Sequence, residues 1–380
     1  MRNRRQFLKD AAGASAGMFF LGSGAYGTQA NAPAPQAGAA SKRRKIRVGQ
    51  RRVKTVDVHS HIALPEAAEI LKGTPLEKLA AGGPTRVGTN PHSLGPERLQ
   101  TMDEMGIDVQ VVSINAFWYS AERDLARRLI DVQNQKLAEL CAVHPDRFVA
   151  LASVALQFPE LAAQQMEDAM KHLGMRGAAI GGTVEGQELS APKFDPFWAK
   201  AEELQALIFM HPQDSAVATG VASRVQGNGF LENVIGNPLE TTIFLSHLIF
   251  EGTLDKFPNL KLCAAHGGGY LPSYSGRMDQ GCLTLPSRCS KTIQKKPSEY
   301  LKQLYFDAMV FTPEGLRHLI AVCGASQLGL GSDYPFAWEG HPVDHVLGTP
   351  GLSDSDREAI LGGTMCKLLK IPAWPCKSCS

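Results

Sequence analysis

The chain has 380 residues, of which 44% are hydrophobic and 20% are charged, so it is long and apolar enough to bury a large core. The net charge of +2 hides an asymmetry: twelve basic residues lie before Thr55, which leaves 27 basic and 36 acidic residues from Thr55 onward. This acidic body argues against nucleic acid as a partner, because binding to phosphates requires a basic face.

Residues 1–32 have the pattern of an export signal. Arg4 and Arg5 precede Phe7-Leu8, a weakly apolar stretch runs from Ala11 to Tyr26, and Ala30-Asn31-Ala32 offers small residues for cleavage. The pattern resembles twin-arginine signals, which export folded proteins to the periplasm. A membrane anchor is the alternative, but the apolar run is glycine-rich and shorter than the ~20 residues that a spanning helix needs. We therefore expect a periplasmic protein with no membrane partner once the signal is removed.

Residues 33–54 have the composition of a disordered basic linker. Pro33 to Ala40 is rich in Pro, Ala and Gly, and eight basic residues without one acid follow before Thr55. The folded domain is expected to span residues 55–371, and residues 372–380 are expected to form a C-terminal tail.

The cysteines are scattered along the chain. Cys141, Cys263 and Cys323 lie in apolar segments and are predicted to be buried thiols. Cys376 and Cys379 have CxxC spacing in the tail. We expect a frayed tail with a local disulfide there, with metal binding as the alternative.

From Thr55 onward, short apolar runs alternate with longer amphipathic ones. The predicted strands are Thr55–His59, Asp108–Ser113, Phe148–Ala155, Gly177–Ile180, Leu207–His211, Leu262–His266, Leu304–Ala308 and Leu328–Asp333. The predicted helices are Glu122–Val143, Pro159–Leu173, Asp195–Ala206, Glu314–Cys323 and Asp354–Leu361. Thr312 and Ser353 are expected to cap helices, since Pro313 follows the first and Asp356 lies three residues after the second.

Eight strand–helix repeats predict an α/β protein with a closed (β/α)8 TIM-type barrel. Parallel neighbours need crossover helices, and eight strands suffice to close the sheet. An open doubly wound sheet is the alternative, but no GxGxxG follows the first strand. The inserts Pro65–Ser93 and Asp214–Pro238 follow strands, which places them on the carboxyl-terminal face, where barrel enzymes carry their sites.

Five polar side chains lie at the carboxyl ends of these predicted strands. His59 and His61 lie two apart on the first strand, so they project to the same side, with Asp57 one step deeper. His211, His266 and Asp333 end the fifth, sixth and eighth strands. Parallel strand ends meet at one mouth, and imidazoles with a carboxylate are the ligands that Zn²⁺ or a similar divalent ion takes.

These residues resemble the signature of the amidohydrolase superfamily, and more narrowly its aminocarboxymuconate semialdehyde decarboxylase-like branch. The matching stretches are Asp57 to Ile62, Arg98 to Gln110, Glu240 to Thr242, His266 to Gly269 with Gly276-Arg277, and Asp333 to Phe336. Two-metal members usually add a strand-four lysine or glutamate. Gly177 to Gly181 offers neither, so the resemblance implies a single metal ion, with Zn²⁺ expected and Mn²⁺ as the alternative.

The resemblance also implies roles for individual residues. It makes His59, His61, His211 and Asp333 the metal ligands, and His266 the general base, with Asp333 as a further proton carrier. It makes Arg98 and Arg277 the groups that clamp substrate carboxylates. Because the second arginine of the family serves the neighbouring subunit, a homodimer is implied.

Two aromatic residues are candidates for stacking on a flat substrate, Trp118 and Phe336, with ordinary packing as the alternative. Gln213 stands where the enzyme that gives the branch its name has tryptophan, and the segment Asn115 to Tyr119 is shorter than in that enzyme. We therefore expect a reshaped pocket.

The leading hypothesis is a metal-dependent, non-oxidative decarboxylase of an aromatic or unsaturated carboxylic acid. The alternative on the same scaffold is a hydrolase or hydratase of a lactone, an amide or a conjugated acid. A metal-containing binding protein without turnover is a third hypothesis, which substitution of His266 would distinguish from an enzyme.

Overall fold

The structure is a computed structural model that describes residues 43–80, 90–213, 220–289, 293–336, 338 and 340–372. The predictions for residues 1–32, for the first part of the linker and for Cys376 and Cys379 lie outside these ranges. No helix among the described residues is both long enough and apolar enough to cross a bilayer.

Short strands follow one another through the described chain, and most of them belong to one parallel sheet. The strands are β1 (Arg47–Val48), β2 (Arg51–Arg52), β3 (Val56–His61), β4 (Val109–Ser113), β5 (Phe148–Ala150), β6 (Gly177–Ile180), β7 (Thr183–Val184), β8 (Gln187–Glu188), β9 (Leu207–Met210), β10 (Lys261–Ala264), β11 (Tyr305–Asp307) and β12 (Leu328–Gly329).

The parallel strands close into a barrel. One ladder runs β3-β4-β5, and a second runs β6-β9-β10-β11-β12. The bridge between Ala152 and Ala178 joins the two ladders at one side, and bridges from Asp57 to Leu330 and from Ser60 to Tyr334 join them at the other. The predicted (β/α)8 barrel is thus confirmed. Several strands are shorter than predicted; β12, for example, ends at Gly329.

Helices surround the barrel and connect its strands. They are α1 (Pro65–Ile70), α2 (Pro96–Met105), α3 (Arg123–Val143), α4 (Pro159–His172), α5 (Asp195–Leu204), α6 (Asn237–Phe250), α7 (Thr253–Lys256), α8 (Leu271–Thr284), α9 (Pro313–Cys323), α10 (Pro342–Gly348), α11 (Asp354–Glu358) and α12 (Thr364–Leu368). Both predicted caps are present: Thr312 accepts the N–H of Gly315 at the start of α9, and Ser353 accepts that of Asp356 in α11.

Strand β9 shows how the pleat divides the core. Ile208 and Met210 belong to the large apolar cluster that includes residues of the surrounding helices, whereas Leu207 and Phe209 belong to a second, smaller cluster. The Phe209 ring lies 5.0 Å from the His59 ring. Because side chains alternate along a strand, His211 projects to the same side as Phe209, at the mouth of the barrel.

The end of the predicted linker is ordered. β1 and β2 form an antiparallel hairpin in which Ile46 and Val48 are buried. Arg43 pairs with the buried carboxylate of Asp108 at 2.8 Å. The prediction of disorder is therefore wrong for residues 43–54, because the apolar residues between the charges pack against the domain and a buried acid receives the arginine.

Two further features were not predicted. β7 and β8 form a second antiparallel hairpin, and a disulfide joins Cys282, near the end of α8, to Cys289 beyond it. Cys141, Cys263 and Cys323 are free and buried, as predicted.

Candidate metal centre

His59 and His61 close strand β3 and are both buried. His59 Nδ1 lies 2.6 Å from Asp307 Oδ2, and His61 Nδ1 lies 3.3 Å from Ser113 Oγ. With Nδ1 engaged in this way, each ring turns Nε2 toward Asp333, and both Nε2 atoms lie 3.1 Å from Asp333 Oδ1. The two imidazoles therefore converge on one point.

His211 and Asp333 complete the convergence from the other strands. The His211 ring centroid lies 4.6 Å from that of His61 and 5.1 Å from that of His59. Asp333 follows β12, and its N–H donates to the His59 carbonyl at 2.8 Å. Its φ is +56°, a left-handed conformation that an L residue adopts only when its surroundings demand it.

The donor set fits one divalent cation. His59 Nε2, His61 Nε2, His211 Nε2 and Asp333 Oδ1 are all buried, and apart from the 3.1 Å approaches of the His59 and His61 nitrogens to Asp333 Oδ1 none has a hydrogen-bond partner within the described protein. Buried polar atoms are normally satisfied, so four that face one another indicate a missing common partner. Three imidazole nitrogens and one carboxylate oxygen suit Zn²⁺ and related divalent ions.

His61 and His266 are alternative candidates for the third histidine ligand. Single ligand atoms of His59, His211, His266 and Asp333 also lie within 4.8 Å of one another. However, His266 Nε2 is 3.8 Å from Asp333 Oδ2, and its side chain is 17% exposed, against 3% for His61. His61 is the better candidate ligand, because its unpartnered Nε2 lies 3.1 Å from Asp333 Oδ1, whereas the unpartnered ring nitrogen of His266 is Nδ1 and its Nε2 lies 3.8 Å from Asp333 Oδ2. His266 lies at the edge of the site, where a base can reach a bound molecule.

Burial and mutual charge shape the ionisation of these groups. Burial lowers the pKa of His61 to about 4 and that of His211 well below its usual value. Burial also acts to lower the pKa of His59, but Asp333 and Asp307 outweigh it and raise that pKa to about 10. Asp333 is buried as well, yet His59, His266 and His61 hold its pKa well below the usual range. His61, His211 and Asp333 are therefore already in their ligand forms at neutral pH.

Asp307 is a site residue that the sequence reasoning missed. It ends β11 and is buried, and besides His59 its carboxylate accepts the N–H groups of His266 and Gly267 at 2.9 and 2.8 Å. A ligand histidine usually donates its second nitrogen to a carboxylate, which orients the ring. In the sequence, Asp307 directly follows Tyr305 and Phe306. An acid at the end of an apolar run is the feature that could have indicated this role.

A cavity of about 280 Å³ opens beside the metal centre. His61 lies in its wall, and Phe117, Phe336 and residues of the insert after β3 form other parts of it. Lys78 from that insert is the only lysine or arginine among the described residues that line the cavity. This composition suits a flat, partly apolar molecule with a negative charge.

The comparisons with known proteins agree with this geometry. An Amidohydrolase family model matches residues 56–371, more than four-fifths of the chain. The chain belongs to the amidohydrolase family. The predicted superfamily and its branch are thereby confirmed.

Relatives of this amidohydrolase include several decarboxylases. It is 31% identical over 275 residues to a 2-amino-3-carboxymuconate-6-semialdehyde decarboxylase of Dictyostelium discoideum, covering 72% of this chain and 75% of the relative. A 5-carboxyvanillate decarboxylase of Sphingomonas paucimobilis shares the fold, with a TM-score of 0.75, 21% identity, and coverage of 84% of this chain and 100% of that chain. A dihydroxybenzoic acid decarboxylase of Polaromonas sp. JS666, solved with manganese and 2-nitroresorcinol, has a TM-score of 0.71 and 25% identity, with coverage of 84% and 97%.

Arg98 of the amidohydrolase lies in the barrel wall instead of the cavity. Its side chain is buried, and it donates to Gln110 Oε1, to the His61 carbonyl and to Ser60 Oγ at 2.8–3.0 Å. Its guanidinium also stacks 4.6 Å from the Tyr334 ring. The expectation that Arg98 clamps a substrate carboxylate is therefore wrong: its donors support the backbone that carries His61.

The two aromatic candidates, Trp118 and Phe336, lie in different environments, one in the core and one in the cavity wall. Trp118 is fully buried and donates its indole N–H to the Val154 carbonyl at 2.9 Å, so it is a core residue and the stacking prediction is wrong for it. Phe336 lines the cavity, with its ring 5.7 Å from that of His61. Phe117, the neighbour of Trp118, also lines the cavity. The prediction named Trp118, whereas Phe117 is the aromatic residue of this segment that lines the cavity.

Gln213 lines the cavity, whereas Arg277 is not among the described residues that line it. Arg277 lies on α8 and is exposed in the single chain. Gln213 lines the cavity, and its Nε2 lies 3.4 Å from His211 Nδ1. The departure from tryptophan at this position therefore places an amide beside a metal ligand.

Proposed function

We propose that the protein is a metal-dependent decarboxylase that removes a carboxyl group non-oxidatively from an aromatic or unsaturated acid. The observation that carries the proposal is the set of four buried, unpartnered ligand atoms beside a cavity with two aromatic rings and one lysine. The decarboxylase activities of the relatives named above support it.

His59, His61, His211 and Asp333 would hold the ion. When bound, a divalent ion polarises substrate oxygens and stabilises the negative charge that develops as the carbon–carbon bond breaks. Zn²⁺ suits the ligand set, and the manganese in the Polaromonas enzyme makes Mn²⁺ the second candidate. Residues Gly177 to Gly181 carry no further ligand side chain, which supports one ion per site.

The protein side chains orient the acid and move the proton. Lys78 is placed to attract a carboxylate, and Phe117 and Phe336 are placed to pack against a flat ring. As carbon dioxide leaves, the electron pair of the broken bond stays on carbon, and that carbon takes a proton. His266, partly exposed and 3.8 Å from Asp333, is the group positioned to hold and transfer that proton.

Carbon dioxide release tests this proposal. The mature protein, loaded with one equivalent of Zn²⁺ or Mn²⁺, is incubated with hydroxylated benzoic acids and muconate-type acids, with a chelator-treated sample beside it. We expect metal-dependent release that falls at least 100-fold in His266→Ala. The exposed His247 provides the control variant His247→Ala, which should retain activity. A protein that binds metal tightly and releases carbon dioxide from none of these acids would contradict the proposal and favour hydrolysis or hydration.

We also propose that the enzyme acts as a homodimer in which Arg277 serves the neighbouring subunit. Its exposed position on α8 supports this arrangement. Inactive Arg277→Ala and inactive His266→Ala proteins are mixed under subunit exchange. Recovery of up to about one quarter of wild-type activity is expected, since a mixed dimer can contain one intact site. Mixtures that stay inactive although exchange occurs would contradict the proposal.

We propose export by the twin-arginine route. The paired Arg4 and Arg5 support it, and the Cys282–Cys289 disulfide is compatible with an oxidising compartment. Cell fractionation should find the protein in the periplasm, and replacement of both arginines by lysine should retain it in the cytoplasm. Equal periplasmic amounts of the two forms would contradict this route.

A further inference from the structure

Two carboxamide side chains in the cavity wall have no protein partner. Gln133 lies on α3 and is fully buried, and neither its Oε1 nor its Nε2 makes a hydrogen bond within the described protein. Asn115, two residues beyond the end of β4, has a buried and equally unpartnered Oδ1. Both residues line the same cavity as His61.

The neighbouring residue on α3 shows that this segment can satisfy a buried amide. Asn134 is buried too, but its Nδ2 donates to the Ser153 carbonyl at 3.0 Å and its Oδ1 accepts the Ser153 N–H at 2.8 Å. A buried amide without partners destabilises a fold. The contrast between these adjacent residues indicates that Gln133 is kept for a partner that enters the cavity.

We propose that Gln133 and Asn115 form a subsite that recognises a hydroxyl group of the substrate. This inference rests on the proposed function, and it narrows the substrate to a hydroxylated acid. A carboxamide carries N–H donors on its nitrogen and an acceptor oxygen, without net charge. A hydroxyl group can both donate and accept a hydrogen bond, so it can pair with Gln133 Oε1 or with Gln133 Nε2.

A second carboxylate is a poor fit to this subsite. An ionised carboxylate only accepts hydrogen bonds, so it can pair with Gln133 Nε2 but leaves Gln133 Oε1 unsatisfied. The lysine of the cavity, Lys78, is the group that suits a carboxylate. The cavity thus combines one cationic group, two aromatic rings and a neutral hydrogen-bonding pair, which matches a hydroxylated aromatic acid better than an open-chain dicarboxylate.

Binding measurements test the subsite independently of turnover. The affinities of benzoate and its mono- and dihydroxy derivatives for the metal-loaded enzyme are measured by calorimetry. In Gln133→Leu, the tightest-binding hydroxylated acid should lose about tenfold in affinity, whereas benzoate should change less than twofold. Gln135 lies on the same helix, is exposed and pairs with Glu139, so Gln135→Leu is the matched control and should leave both affinities unchanged.

The outcomes separate this inference from the proposed function. Equal losses for benzoate and the hydroxylated acid, or no loss for either, would overturn the subsite. If Gln133→Leu fails to fold, Asn115→Leu is measured against the same acids with the same expectation. Selective loss of the hydroxylated acid in an enzyme that releases no carbon dioxide would support the subsite while contradicting decarboxylation. If the enzyme releases carbon dioxide but Gln133→Leu leaves the affinities unchanged, decarboxylation would be supported and the subsite contradicted.

Discussion

Asp307 Oδ2 lies 2.6 Å from His59 Nδ1, and the same carboxylate accepts the N–H groups of His266 and Gly267. One buried acid on β11 therefore orients a metal ligand and the backbone of the proposed proton carrier. His59 lies in β3, Asp307 ends β11 and His266 follows β10, so the contact links the candidate metal centre to the proposed proton carrier.

Replacement of Asp307 by asparagine should weaken metal binding. The amide preserves the shape of the side chain but cannot stabilise the charge on His59 or enforce its tautomer, so we expect a 10- to 100-fold loss of affinity. Competition with a chelator measures it. Asp195→Asn, at an exposed ion pair with Lys256, is the control. Unchanged affinity in a folded Asp307→Asn protein would show that Asp307 does not orient His59.

Replacement of Arg98 should reduce stability instead of substrate affinity. Arg98→Met leaves Gln110 Oε1 and the His61 carbonyl without their buried donor, for a loss of about 2–4 kcal/mol in the free energy of unfolding. Denaturant unfolding measures this loss, and KM of the remaining folded enzyme should change little. A large rise in KM at unchanged stability would instead restore Arg98 as a substrate clamp.

Replacement of Lys78 should weaken substrate binding. Lys78→Met removes the cation among the described cavity residues, so KM for an anionic substrate should rise about 5- to 10-fold with a smaller change in kcat. Steady-state kinetics at two ionic strengths measure the effect, and the wild-type enzyme should show the stronger salt dependence. Lys72 is exposed in the same insert and does not line the cavity, so Lys72→Met should behave as wild type.

Metal binding should release about one proton at neutral pH. The carboxylates of Asp333 and Asp307 raise the pKa of His59 to about 10, so an entering cation must displace its proton, whereas His61 with a pKa of about 4 is already neutral. Apparent affinity should thus fall about tenfold for each unit that the pH drops below 10. Calorimetry in buffers of different ionisation enthalpy counts the protons. Release of none would mean that His59 is neutral before the metal binds.

Individual residues show where prediction from the sequence worked and where it did not. His59, His61, His211 and Asp333 each lie in or shortly after a parallel strand, and the alternation of side chains together with the parallel arrangement was enough to predict that they converge. Arg98 and Trp118 lie outside the strands. Their direction depends on how α2 and the segment after β4 pack, which local patterns do not encode.

The sequence by itself determined the barrel, the candidate metal ligands and the family, because periodicity and strand-end residues are local properties that parallel closure converts into one site. Only the tertiary structure decided which side chains face the cavity. Long-range packing brings Asp307 against His59, lets Lys78 and Gln133 line the same cavity as His61, and keeps Arg98 out of that cavity. Burial and pairing arise from residues far apart in the chain, so their outcome becomes visible only when the fold is complete.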